Sequence, residues 1–307
     1  MSLAFTLALA LCLTLLPGCA NGHTAQEMAD MQPTQQTPTS PLEGITADSR
    51  VVALTRSLAD MWLLSGGQLV GVTEDALGLE GLSPDAVSVG KLDSPSLDQV
   101  LALKPDLVLL AEDLPSNQEL YAGLMGANVP ALLVNINSFD DYALTMEALT
   151  GATGRADLYE TNVMDVRVRI DEVVAHNMMP DRGTYVALRT SSSKNKALRN
   201  DHFACAMLND LGLSNVAQDN AYFDEVSVEA IAQANPAWVF VIYQGDVEKA
   251  QKAFESEFQA NPMWSQLDAV KQGHVVMLPK DLFQYKPNAR WAEAYGYLSQ
   301  VLHGSWA

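Results

Sequence analysis

Cysteine is nearly absent from this chain, with 3 among 307 residues. Cys12 falls in an apolar leader and Cys19 directly behind it, so Cys205 stands alone in the remainder and an internal disulfide framework is excluded. Set in Phe203-Ala204-Cys205-Ala206-Met207, it reads as a small buried apolar residue. Histidine is also sparse. His23, His176, His202, His274 and His303 are scattered without ligand spacing, so no metal ligands are assigned. Lys and Arg number 18 against 37 Asp and Glu, a formal charge of −19. That balance argues against a nucleic-acid partner, since a polyanion is repelled unless a large basic face exists. G-x-S-x-G, H-E-x-x-H and a Gly-rich phosphate loop are all missing. The expected class is therefore a non-enzyme with no cofactor. An extracytoplasmic enzyme using Arg189, Asp201 and His202, and a lipoprotein serving adhesion or scaffolding, stand as competing readings.

What is present begins with an apolar run from Leu3, closed by Leu16-Pro17-Gly18-Cys19. The run is shorter than the roughly 20 residues a helix needs to cross a bilayer, and no later run approaches that length. It resembles a bacterial lipobox, which implies cleavage between Gly18 and Cys19 and lipidation of Cys19. An ordinary secretory leader is the alternative. Residues 20–44 are rich in Thr, Gln, Pro and Ser with little apolar content, so they bury no core and read as a tether. The expected layout is a signal peptide over 1–18 and a lipid-anchored flexible tether over 19–44. The mature protein then works outside the cytoplasm, held to a bacterial membrane in the periplasm or on the outer face of the cell.

From Arg50 strands alternate with helices. Apolar runs at 51–54, 69–72, 107–110 and 131–134 read as strands, each followed by a helical stretch. The same pattern restarts at 185–188 and continues through strands at 238–242 and 275–278 to a last helix over 289–302. Between the two halves, Tyr159, Val163, Val166, Ile170 and Val173 alternate spacings of four and three, which predicts one helix face over 155–179. About 24 residues at 1.5 Å each make a rod of roughly 36 Å, with Pro180 as its stop. The fold expected is α/β: two small βα lobes with parallel sheets, 45–152 and 181–307, joined by a single long backbone helix over 153–180. One larger doubly wound sheet is the alternative.

With that layout, the chain resembles the substrate-binding proteins of ABC importers for iron-siderophores, haem and cobalamin. The resemblance rests on Val89-Gly90-Lys91 followed by Pro95-Ser96-Leu97-Asp98-Gln99 and Lys104-Pro105-Asp106-Leu107-Val108. It continues in Val226-Ser227-Val228-Glu229 with Asn235-Pro236-Ala237-Trp238-Val239, in Asn261-Pro262-Met263-Trp264, and in Lys286-Pro287-Asn288-Ala289-Arg290-Trp291. It implies capture of a ferric siderophore between the lobes, with cobalamin or haem as the alternative cargo, by a monomer that delivers to a permease. It also implies that Asp98 and Glu229 dock to the permease, with aspartate at the first position where the family usually has glutamate. Helix electrostatics offers a second reason for both acids, since each lies near a helix start.

Open α/β sheets bind ligands at the C-terminal ends of their strands. That rule selects Arg56 after the first strand, and Lys91 and Leu92 before the docking helix. In the second half it selects the segment 189–200, which holds Arg189, Lys194, Lys196 and Arg199 and no acid. Cations facing a closed cleft favour an anionic ligand, and guanidinium grips planar oxygen groups in a fork, so Arg189 and Arg199 lead. Tyr222 with Phe223, Tyr243, and Phe283 with Tyr285 are the aromatic candidates, each with core packing as the competing role, and Tyr243 and Tyr285 stand out because each follows a strand.

Overall fold

The computed structural model describes residues 40–177 and 182–304. The leader, Cys19, most of the tether and Pro180 lie outside the described residues.

Short apolar segments bounded by turn residues form the first sheet, a five-stranded parallel layer. Its strands run, in spatial order, Val87–Ser88, Leu69–Val72, Val51–Ala53, Leu107–Ala111 and Ala131–Val134. The order reverses between Val51–Ala53 and Leu107–Ala111, so the loops after these two strands splay apart and leave a crevice. The second sheet runs Ser214–Asn215, Thr184–Thr190, Trp238–Tyr243 and Val275–Met277, all parallel. Its order reverses between Thr184–Thr190 and Trp238–Tyr243. A further strand, Asn195–Ala197, folds back antiparallel on Thr184–Thr190 and pairs Arg189 with Lys196. The basic segment is thus a twisted ribbon rather than a free loop.

Between the sheets the backbone is helical from Ala156 to Asn177, with a π turn at Glu160–Met164. At 1.5 Å per residue this is a rod of about 33 Å. The preceding helix, Phe139–Thr153, ends at Gly154, whose φ of 71° lies in the left-handed region that glycine enters at low cost. The periodic face of the rod does what its spacing implies. Val163, Val166 and Ile170 are buried, and Tyr159 and Val173 are partly covered. The helix Trp291–Leu302 packs along it.

Strand parity sorts the core into three clusters. Each sheet keeps its own outer-face cluster, for example Val52, Leu54, Val108 and Leu110 in the first and Val186, Leu188, Val239 and Val241 in the second. The inner faces of both sheets, the rod and the final helix share the third. Trp291 sits at its centre, fully buried, with its ring 5.8 Å from Phe139, 6.4 Å from Tyr142 and 5.9 Å from Phe203. The first two belong to the first lobe and the third to the second. One aromatic cluster therefore ties the lobes below the crevice.

Candidate functional site

The two reversal points face one another, and between them lie adjoining cavities of about 140 and 220 Å³. A water needs some 10–15 Å³ of such space, so the room suits a molecule far larger than a bare ion. Both cavities touch Asp113, Arg189, His202, Gln284 and Lys286. Among the described residues, no group of three or more His, Cys, Asp and Glu side chains is placed to hold a metal ion.

Arg56 follows the first strand and opens the helix Arg56–Leu64, which Thr55 caps by accepting from the Leu58 N–H at 3.2 Å. Its own N–H donates to Asp75 Oδ2 at 3.0 Å and its guanidinium to the Asp75 carbonyl at 3.1 Å. The same guanidinium lies 5.7 Å from the ring centre of Tyr285, a residue of the second lobe. Leu92 enters from the tip of a two-stranded ribbon, where its carbonyl accepts from the Ser116 hydroxyl at 3.2 Å. That ribbon needs a glycine at position 90, where φ is 110° and an added Cβ would sit 2.9 Å from the Ser94 carbonyl oxygen.

Arg189 is of the same parity as Tyr185 and Ala187, which face the shared core, so its side chain leaves the sheet toward the first lobe. Burial lowers its pKa, opposed by the Asp113 carboxylate, yet a guanidinium keeps its proton. Lys286 reaches across the crevice. Its Nζ donates to the Ile136 carbonyl at 2.5 Å and lies 3.7 Å from Asp113 Oδ2, while its N–H donates to Ser57 Oγ at 3.2 Å. Burial lowers its pKa, and the ion pair with Asp113 partly offsets that effect. Asn288 adds bonds from Nδ2 to the Ser57 carbonyl at 2.9 Å and to Asp60 Oδ2 at 2.8 Å.

His202 caps the helix Phe203–Asp210, its Nδ1 accepting from the Ala204 N–H at 3.2 Å. In the neutral ring that bond leaves the proton on Nε2, a donor on the cavity wall. Burial, with Lys286, Arg189 and Lys196 close by, pushes its pKa down to about 3. The unfolded chain takes up this proton near pH 6.5 whereas the folded one refuses it. Stability is therefore full above pH 6.5 and lost as the pH falls toward 3. Between pH 7 and 4.5 this amounts to about 2–3 kcal/mol at the linkage slope of a single proton. His202→Asn keeps a capping acceptor and should remove that part of the loss in urea unfolding at the two pH values. An unchanged loss in the variant would assign acid sensitivity to other groups.

Of the residues singled out from the sequence, Arg56, Leu92, Arg189 and Tyr285 converge on the first cavity, and Arg189 and Arg199 on the second. Arg199 is held within its own lobe. Its guanidinium donates to the carbonyls of Ala217 and Gln218 and pairs with Asp224 Oδ1 at 2.7 Å, so it forms wall rather than a free fork. Three others stand away from both cavities. Lys91 is exposed on the ribbon, and Tyr222 is 65% exposed on a 3₁₀ turn. Tyr243 shares the parity of Val239 and Val241, which turns it outward against Phe254 at 6.4 Å. Lys196 borders the second cavity and Lys194 neither.

Asp113, Gln284 and Lys286 are additions of the structure to the cleft, and His202, which the sequence offers as a helix start or as part of an alternative enzyme site with Arg189 and Asp201, lines both cavities. Asp113 follows the strand Leu107–Ala111 at the reversal point, so the strand-end rule applied there would have found it. Gln284 and Lys286 lie past a short helix, Lys280–Phe283, on either side of Tyr285, and Lys286 opens one of the family-like segments, but nothing in the pattern says that their side chains enter the cleft. Asp98 and Glu229 are exposed in the first turns of the helices Leu97–Ala102 and Val228–Ala234, one on each lobe.

Residues 51–282 match the periplasmic binding protein family. Among individual relatives, the chain is 26% identical over 240 residues to the Fe(3+)-citrate-binding protein YfmC of Bacillus subtilis, covering 76% of this chain and 73% of the relative. It is 22% identical over 246 residues to the iron-uptake system-binding protein of the same organism, 75% of each chain. The haem complex of S. aureus IsdE superposes with a TM-score of 0.73 at 18% identity, over 83% of this chain and 99% of that one.

Proposed function

Because the chain belongs to the family of periplasmic binding proteins, we propose that it is the extracytoplasmic receptor of an ABC importer and captures an anionic ferric siderophore between its lobes. The observation that carries this reading is a local inversion of charge. Around the two cavities stand Arg56, Arg189, Lys196, Arg199 and Lys286 against Asp75, Asp113 and Asp201, five cations to three carboxylates in a chain of net charge −19. Opposite charges at 4 Å are worth about 1 kcal/mol in water and about 4 kcal/mol at an effective dielectric of 20, so partial burial amplifies the preference. Relatives named for an iron-uptake system, at 22% identity, and for Fe(3+)-citrate binding, at 26%, support the ferric cargo.

Haem is the weaker cargo. A tyrosinate is one of the axial ligands haem iron takes, and burial pushes the phenol of Tyr285 upward, against ionisation. The role is capture and delivery without turnover, by a monomer lipidated at Cys19 and facing the permease with Asp98 and Glu229. Titration of tryptophan fluorescence with a ferric siderophore, haem and cyanocobalamin tests the cargo. Saturable one-to-one quenching by the ferric chelate, weakened by salt, is expected; tight binding of haem or the corrinoid alone would overturn it.

The docking role carries its own expectation. Asp98→Ala with Glu229→Ala should cut uptake of radiolabelled iron at least tenfold in cells and leave chelate affinity unchanged, because both acids lie outside the cavities. Loss of affinity, or uptake at the parental rate, would remove that role.

A further inference from the structure

One of the segments that the sequence singles out, Asn261-Pro262-Met263-Trp264, takes no part in the cleft. Trp264 is buried in the second lobe's own core, its ring 5.4 Å from that of Phe254 and 5.9 Å from that of Phe258, and so pins the turn in place. Asn261 Oδ1 accepts from the Met263 N–H at 3.0 Å, and its Nδ2 donates to Glu229 Oε1 at 3.4 Å. Met263 itself is left 41% exposed.

Beside this turn lies a hollow of about 320 Å³, walled by Ala232, Asn235, Met263, Gln266 and Leu267. Its rim residues Asn235, Met263 and Gln266 are exposed, and Leu267 forms a buried floor. Ala232 follows Glu229 by three residues in the helix Val228–Ala234, so acid and hollow share a helix face, about 5–6 Å apart. The far rim is fastened as well. Asn235 Nδ2 donates to Asp268 Oδ2 at 2.8 Å, and the Asp268 N–H donates to Asn235 Oδ1 at 3.1 Å. A partner therefore meets a hollow that is already shaped, with little ordering cost left for binding. The charges beside it differ. Asp268 has Lys271 at 4.0 Å, whereas Glu229 meets an amide and no cation among the described residues.

We propose that the hollow is the apolar half of the permease contact on this lobe. An extracytoplasmic loop of the permease brings a cation to Glu229 and seats an apolar side chain, about one helical turn away, among Ala232, Met263 and Leu267. This rests on the docking role proposed for Glu229 and extends it. An exposed ion pair alone holds weakly and is screened by salt, whereas an apolar anchor in a fitted pocket supplies affinity that salt does not remove. Asn261 serves as a positioning residue, since the turn that it closes sets both the carboxylate and Met263.

The test uses the full-length protein in cells that carry an epitope-tagged permease. Ala232→Phe fills the hollow, and Met263→Glu sets a second acid on its rim. Each should cut uptake of radiolabelled iron at least tenfold, with chelate affinity and melting temperature unchanged. Met263→p-benzoylphenylalanine should cross-link to the permease on illumination, and Asn261→Ala should reduce the yield at least threefold. Parental uptake in both hollow variants while Glu229→Ala fails would overturn the inference and leave the docking acid in place. Parental uptake in Glu229→Ala would remove docking at this lobe and the inference with it. Should Ala232→Phe melt early, Met263→Glu, at an exposed position, and the cross-link decide. A cross-link to a second copy of this chain, or none to the permease, would overturn the proposal.

Discussion

Replacing Arg189 and Lys286 together with glutamine is expected to weaken an anionic ferric chelate by about 10³-fold, roughly 4 kcal/mol, which lies within the range for removing a partly buried charge partner. The two residues come from different parts of the second lobe, yet both border both cavities. Arg189 is carried there by strand parity and Lys286 by its reach to the Ile136 carbonyl. Lys286 also holds Asp113 at 3.7 Å, so Lys286→Gln alone leaves that carboxylate facing the ligand and should account for more than half of the effect. Lys91→Gln, on an exposed residue outside both cavities, is the control and should leave affinity unchanged. Calorimetric titration at two salt concentrations reads the outcome. Affinity that survives the double change, without salt dependence, would mean that the cationic wall does not face the cargo.

Trp291→Ala should be the most damaging single change to stability. A fully buried indole contacted by Phe139, Tyr142 and Phe203 leaves a cavity that its neighbours fill only in part. Such truncations cost about 3–5 kcal/mol. For a domain of this size that corresponds to a fall of about 10 °C in melting temperature. Tyr222→Ala, on an exposed ring, should move it by less than about 2 °C by the same scaling. Differential scanning calorimetry compares them, and similar shifts in the two variants would contradict the account of a shared aromatic centre.

The fold was legible because its signals are local and periodic. Apolar runs of four or five residues marked the strands, and the spacing of Val163, Val166 and Ile170 marked the rod. Short or polar strands escaped, since Val87–Ser88, Ser214–Asn215 and Asn195–Ala197 form through pairing with neighbours distant in sequence. The π turn at Glu160–Met164 also left no mark in the pattern.

The site was half legible. Strand ends locate Arg56 and Arg189, but the same rule also points to Tyr243, which the sheet's alternation turns away from the cleft. Charge alone singles out Arg199, and its own lobe engages that charge through Asp224 and two carbonyls. Lys286 and Asn288 were unreadable as cleft residues, because their partners Ser57, Asp60, Asp113 and Ile136 lie 150 or more positions earlier.

A floor common to both lobes has a consequence for how the molecule comes apart. The inner faces of both sheets share one cluster with the rod and the final helix, so neither lobe keeps an intact interior once the other is gone. Denaturation should pass through a single cooperative step rather than two, and an excised half should not persist alone. Cargo seated in the crevice then lends its binding energy to every part of the chain at once, which makes a simple melting curve a gauge of occupancy.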